Sequence, residues 1–345
     1  MLPDKIIAPV DFEFQGKASE YFRIWIVNIL LTILTLGIYS AWAKVRNKQY
    51  FYANTLLQGS SFKYNASPLA ILKGRLVLVL ILAFYFISIH FYPATKILFI
   101  LLFILALPGL IMLGLMFNAR YSFYRHLNFA FEKSLGESVK TFIGIALLIP
   151  LTLGLIYPYY MHAIQSYRVN HHRFGQLNFS LQSVVKAFYK YYAIAGILFI
   201  TGLAVVAIVF QGSALGSMQE TLTADSEQLP EHPPLAIHAL LQMVACYGVI
   251  YLLVFAYLQA RIFNLVWSNT RLDRIPANSM LAKRITVVTF QANLGAWKLF
   301  WIYLTNMLAI IASIGLLIPW AKIRLTRYRI HHMNVAAIGD LHAIS

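Results

Sequence analysis

The stretch TLGIYSAWAKVRNKQYFY, residues 35–52, returns near the end of the chain as IGLLIPWAKIRLTRYRI, residues 314–330. Setting Gly37 on Gly315 places Trp42 on Trp320, Ala43 on Ala321, Lys44 on Lys322, Arg46 on Arg324 and Tyr50 on Tyr328 without a gap. A weaker copy, GLIYPYYMHAIQSYRVNHH from Gly154, lies between them. In it Pro158 falls on Pro319, Tyr159 on the two tryptophans, Tyr167 on the tyrosines, Arg168 on Arg329 and His171 on His332. Each copy closes an apolar helical window with a basic, aromatic helix end. How that stretch is read decides whether the chain is a series of ordinary membrane crossings or three quasi-equivalent units.

With 345 residues, 60% hydrophobic and 12% charged, and a mean hydropathy of +0.68, the chain has the composition of an integral membrane protein. A hydrocarbon core of about 30 Å needs roughly 20 apolar residues of helix. Windows at 69–91, 97–117, 191–210 and 235–258 meet that length, and three more, at 22–43, 142–161 and 299–321, are interrupted by Gly or Pro. These last three carry the copies. The start of the chain, MLPDKIIAPVDFEF, lacks a basic region leading into an apolar core, so no cleaved signal peptide is expected. The lone Cys246 excludes an intrachain disulfide and a cysteine metal cluster, and is expected as a small apolar filler. A net charge of +16 would point to nucleic acid in a soluble protein. In a membrane chain it is the accumulation of Lys and Arg on cytoplasmic loops. The expected partners are therefore anionic membrane lipids, with no nucleic acid.

Short alternating runs surround the copies: VDFEFQG at 10–16, LNFAFE at 127–132 and ITVVTFQ at 285–291 precede them. NTLLQGSSFKY at 54–64 and RFGQLNFS at 173–180 follow the first two. Period-two patterns of this length read as strands. The fold class expected is thus an α-helical multi-pass membrane protein with small cytoplasmic β elements, built as one integral membrane domain over 1–345. Its repeats span 10–120, 125–270 and, in part, 283–345.

Charge decides how many of the seven apolar helical segments cross. Seven crossings would place half of the 28 Lys and Arg on each side, against the positive-inside tendency. If the three repeat windows enter and return on one side, Lys96 alone is left outside and only four helices clearly cross. Gly37, Gly154 and Gly315 recur at one aligned position, with Pro150, Pro158 and Pro319 nearby, and proline breaks or kinks a helix. A kinked but complete crossing is the competing explanation.

The pattern EYFRIWIVNILLTILTLGIYSAWAKVR, then the Tyr-rich basic helix end and NTLLQGSSFKY with Gly74 and Arg75, resembles the YjgN-like family of bacterial inner-membrane proteins. The resemblance covers nearly the whole chain. It implies a multi-pass protein of the bacterial cytoplasmic membrane and brings no activity, substrate or catalytic residue. With the basic ends inside, the C-terminus is expected to be cytoplasmic. Within the chain, the middle copy departs at Met161 and Ala163, where the others have Lys and Arg.

Trp42, Arg46 and Tyr50 are spaced by four and share a helix face, as do Trp320, Arg324 and Tyr328. With Lys44 and Lys322 they read either as an interfacial aromatic belt or as a specific anionic-lipid site. Asn28 aligns with Asn306, and Thr32 follows the first, while His238 and Gln242 are four apart on a later apolar helix. These are candidate cavity-lining residues, or amides bonded to a neighbouring helix. The pairs His171, His172 and His331, His332 lack metal-site spacing. No Asp or Glu falls in an apolar window, and P-loop, GxGxxG, GxSxG and HExxH patterns are missing. Neither a cofactor nor a catalytic activity is expected. Two functions stay open: a passive conduit or lipid- or solute-binding protein with a cytoplasm-facing cavity, and a structural protein binding anionic lipid or partners through a basic face.

Overall fold

The computed structural model describes residues 9–223, 235–274 and 285–337. Ten short strands organise it: β1 (Val10–Phe14), β2 (Thr55–Leu57), β3 (Ser60–Tyr64), β4 (Ser122–Tyr124), β5 (Leu127–Phe131), β6 (His172–Phe174), β7 (Leu177–Leu181), β8 (Thr270–Arg274), β9 (Ile285–Ala292) and β10 (Met333–Ala337). Each pairs antiparallel with its neighbours in chain order, and β1 pairs with β10, so the sheet closes into a barrel. This corrects the expected fold class. The β segments are not small separate elements of a helical protein but the staves of one ten-strand barrel. The physical reason is that strands of three to five residues leave exposed edges unless every edge is paired, and closure is the arrangement that removes all of them. Alternation orients the staves: Phe12, Phe62, Phe129, Phe179, Val288 and Val335 face the interior, with polar neighbours such as Asp11, Lys63 and Asn128 between them. At the β2–β3 turn, Gln58 and Gly59 both have positive φ, 49° and 70°, the two-residue hairpin geometry that matches strand twist.

An up-and-down meander puts alternate connections on opposite rims. One rim carries the tight β2–β3, β4–β5 and β6–β7 turns. From the other rim leave all five helical excursions. Two are long apolar pairs: α3 (Pro68–Phe91) with α4 (Thr95–Arg120), and α8 (Val185–Thr223) with α9 (Leu235–Ser268). Each of these four is long and apolar enough to cross a membrane. α8 remains helical to Thr223, well beyond the apolar window that ends at 210.

The other three excursions are short helical hairpins. They are α1 (Ala18–Leu34) with α2 (Ser40–Ala53), α5 (Leu135–Val139) and α6 (Ala146–Leu151) with α7 (Tyr157–Asn170), and α10 (Ala296–Ala312) with α11 (Ile318–Ile330). A π-helical stretch, Lys140–Ile145, joins α5 to α6. The windows at 22–43, 142–161 and 299–321 are therefore not single helices; each breaks and turns back. The tips share one chemistry. Leu36, Leu153 and Ile314 have φ of 48°, 50° and 53°, followed by Gly37, Gly154 and Gly315 at 93°, 83° and 89°. Each glycine N–H closes a bond five residues back, to Thr32, Ile149 and Ile310, at 2.7–2.8 Å. This is the Schellman geometry that ends a helix, and glycine adopts it without a Cβ penalty. Thr35, Thr152 and Ser313 then accept from Tyr39, Ile156 and Leu317, capping the return helix. The bases match too. Tyr50, Tyr167 and Tyr328 donate to the carbonyls of Lys17, Ser134 and Gly295, each 33 positions earlier, at the start of the outgoing helix. At the tips Leu36, Leu153 and Ile314 are 95%, 92% and 94% exposed, which water penalises and lipid hydrocarbon does not.

Candidate functional site

The barrel is hollow. A cavity of about 630 Å³ receives a side chain from every one of the ten strands and opens between α7, α8 and α9. Eight strands give an interior that side chains just fill, so ten leave room for a ligand. The wall is overwhelmingly apolar, with Phe12, Phe62, Phe129, Phe174, Phe179 and Phe290 as its largest surfaces. The rings bear on one another: Phe129 meets Phe174 at 4.9 Å between centroids, and Trp267 meets Phe290 at 5.2 Å.

Polar groups sit at the two ends. At the tight-turn rim, Arg125 donates to Gln58 Oε1 at 3.1 Å and lies over the ring of Tyr124, whose hydroxyl donates to Leu57 O at 2.8 Å. At the helical rim, the portal helix α7 contributes Met161, Gln165, Arg168 and Val169, and α9 contributes Gln259 and Trp267. The buried Trp267 Nε1 has no acceptor among the described residues. Arg168 is exposed at the mouth and meets no carboxylate among the described residues. His172, at the start of β6, holds Arg168 O through Nδ1 at 2.5 Å and packs edge-on against Phe131. Burial pushes the His172 imidazole below its ordinary range, an effect the bond to Arg168 opposes and the neighbouring His171 reinforces. The wall therefore offers a long apolar surface with a cation at each end and one unanswered N–H. Among the described residues, His, Cys, Asp and Glu form no cluster able to hold a metal.

The residues singled out from sequence lie elsewhere. Asn28 and Asn306 are buried within the outer hairpins, not in the lumen. Asn28 Nδ2 donates to Asn47 Oδ1 at 3.2 Å; Asn306 donates to Ala321 O at 3.3 Å and accepts from Arg324 at 3.1 Å. Thr32 returns its hydroxyl to Asn28 O. Gln242 is exposed on α9, and the side chain of His238 lies outside the described residues. Trp42 stacks on Tyr39, Arg46 donates to the Tyr39 hydroxyl, and Lys44 is exposed on the same helix, while Tyr50 is committed to the hairpin base. Of the second set, Trp320, Arg324 and Tyr328 come together around a smaller basic cavity, and Lys322 points away from it. Sequence reasoning missed Gln165, Arg168, His172 and Trp267 as wall residues. One signal was present: Met161, where the other copies have lysine, lies on the portal.

The family described as bacterial proteins of unknown function (DUF898) matches residues 9–345. The chain belongs to that family. The inner membrane protein YjgN of Salmonella typhimurium is 25% identical over 374 residues, covering 96% of this chain and 89% of the relative. YjgN of Escherichia coli O157:H7 is 44% identical over 75 residues, 22% of this chain and 18% of the relative. YjgN of Escherichia coli K12 is 51% identical over 53 residues, 15% and 13% of the two chains. No solved structure matches the chain.

Proposed function

We propose that the chain is a bacterial inner-membrane protein that takes an amphiphile from the bilayer, apolar part first, into the barrel lumen. The observation that carries this reading is the lumen: a 630 Å³ apolar cavity enclosed by all ten strands, open between α7, α8 and α9, with Trp267 Nε1 lacking an acceptor. Pockets of this volume suit small ligands. An acyl chain is the apolar group a membrane supplies in abundance, and Arg168 at the mouth suits an acidic head group. Relatives named as inner membrane proteins, together with four helices long enough to cross, support the location. The threefold helical hairpins serve as repeated anchors that dip apolar tips into one leaflet, and the barrel with the C-terminal strand lies on the cytoplasmic side. Support for that orientation comes from charge: Lys96, in the first turn of α4, is the basic residue at the far end of a crossing pair.

Native mass spectrometry of protein extracted in mild detergent is expected to show a retained lipid-derived mass. Val288→Trp, which fills the lumen, is expected to abolish it; retention unchanged by that substitution would sink the proposal. Membrane-impermeant labelling of single cysteines tests the orientation. Thr95→Cys is expected to label from outside, and Gln49→Cys and Asn170→Cys only after the membrane is opened.

A further inference from the structure

A second cavity, of about 480 Å³, lies where the start of α1 meets α10 and α11. Lys17, Lys298, Arg324, Arg327, His331 and His332 all line it, and no carboxylate does. Among the described residues, the acid paired with one of these cations is Glu20, whose Oε1 lies 3.7 Å from Lys17 Nζ. Neutral groups hold the guanidinium groups in place. Arg324 donates through Nη1 to Thr305 Oγ1 at 2.6 Å and Asn306 Oδ1 at 3.1 Å, and its guanidinium lies 5.1 Å from the Trp320 ring. Arg327 donates through Nη2 to Gly16 O at 2.8 Å. Two guanidinium groups are thus fixed beside two lysines around one concave space, and among the described residues only Lys17 of the four has a carboxylate partner. Like charges at such separations repel unless an anion enters.

We propose that this cavity binds a phosphate group. Guanidinium forks match tetrahedral phosphate oxygens, lysines supply point charges beside them, and a volume of 480 Å³ accepts a phosphate with part of what it esterifies. The same chemistry is offered by the phosphate of an anionic phospholipid and by a soluble phosphate. The site does more than bind. It sits above the seam where the barrel closes, and among the described residues that seam is joined by two register pairs, Val10 with Val335 and Asp11 with Asn334. A phosphate held by Lys17 on one side and by Arg324 and Arg327 on the other ties the first helical hairpin to the last. It therefore acts as a staple across the closure, and this role is independent of what the lumen carries.

The test is thermal unfolding of the full chain in neutral detergent, with inorganic phosphate against chloride at matched ionic strength. A second arm uses nanodiscs of phosphatidylcholine with and without phosphatidylglycerol. Phosphate, anionic lipid or both are expected to raise Tm. A rise with inorganic phosphate marks a soluble ligand as sufficient, and a rise with phosphatidylglycerol alone assigns the site to a head group. Lys298→Gln, an exposed change that should leave the fold intact, is expected to weaken the response about tenfold in ligand concentration, and Lys298→Gln with Arg327→Gln to remove it. Lys44→Gln with Arg46→Gln, on the open face of α2, is expected to leave it unchanged. No stabilisation in either arm overturns the proposal. So does a response whose concentration dependence Lys298→Gln leaves unchanged, or that the α2 control loses equally.

Discussion

The return helices α7 and α11 leave the same glycine turn and end on the same tyrosine, yet one faces the lumen and the other a polar lock. In α11, Arg324 reaches the outgoing helix and bonds Thr305 and Asn306. At the matching positions of the middle hairpin stand Ala163 and Ile145, and Ile145 is buried. The changes on the facing helices thus go together: with Gly144 and Ile145 in the places of Thr305 and Asn306, nothing is left to receive a guanidinium. What replaces the lock is apolar contact, and the side of α7 that carries lysine in the other copies carries Met161 toward the cavity. The outgoing helix of this hairpin also loosens into a π-helical stretch, a feature often found near functional sites. The comparison teaches that three hairpins with the same tips and bases can divide labour through a few mid-helix residues.

Giving the middle hairpin its sister's lysine should have the largest effect. Met161→Lys places an ammonium group at the portal, and desolvating that charge opposes entry of an apolar chain. Lipid retention in native mass spectra is expected to fall more than tenfold, while Lys44→Met on α2 changes it little. Next in size is the reverse exchange. Asn306→Ile leaves Arg324 with Thr305 as its one acceptor on α10 and takes the donor from Ala321 O, and is expected to cost about 2 kcal/mol, seen as a lower Tm in detergent. Adding Arg324→Ala, which recreates the middle pair, is expected to recover most of that loss. A double variant as unstable as the sum of its parts would break the comparison.

The smallest effect is on pH. Burial holds the His172 imidazole below its ordinary 6.5, so the folded state resists the proton that the unfolded chain accepts. Its contribution is fully present above pH 6.5 and is lost as pH falls through the folded value. His172→Gln is expected to flatten the decline in Tm over that range. An identical slope would show that other groups govern it.

Much of this was legible in the sequence. Four helices long enough to cross stand out because apolar length is a local property, and the aligned Gly37, Gly154 and Gly315 mark the tips because only one backbone conformation needs them. Five of the alternating runs were readable as strands for the same local reason. The barrel was not. β4, β8 and β10 are three to five residues long and follow directly on helix ends, so their alternation is too brief to register. Closure joins residues more than 300 positions apart, Val10 to Val335, and no local pattern records such a pairing. The same holds for the lumen, whose wall takes one or two residues from each strand. Asn28 and Asn306 drew attention as polar groups in apolar helices, but their partners, Asn47 and Ala321, lie on helices whose return could not be seen from spacing alone.

The pairing of β1 with β10 also means that the order of the chain is a cut in a ring. Val10 and Val335 are neighbours across that cut. A chain rewired to begin at Gly59 and end at Gln58, with a short flexible link carrying Ala337 back to Val10, should therefore build the same barrel and send the same five helical excursions from the same rim.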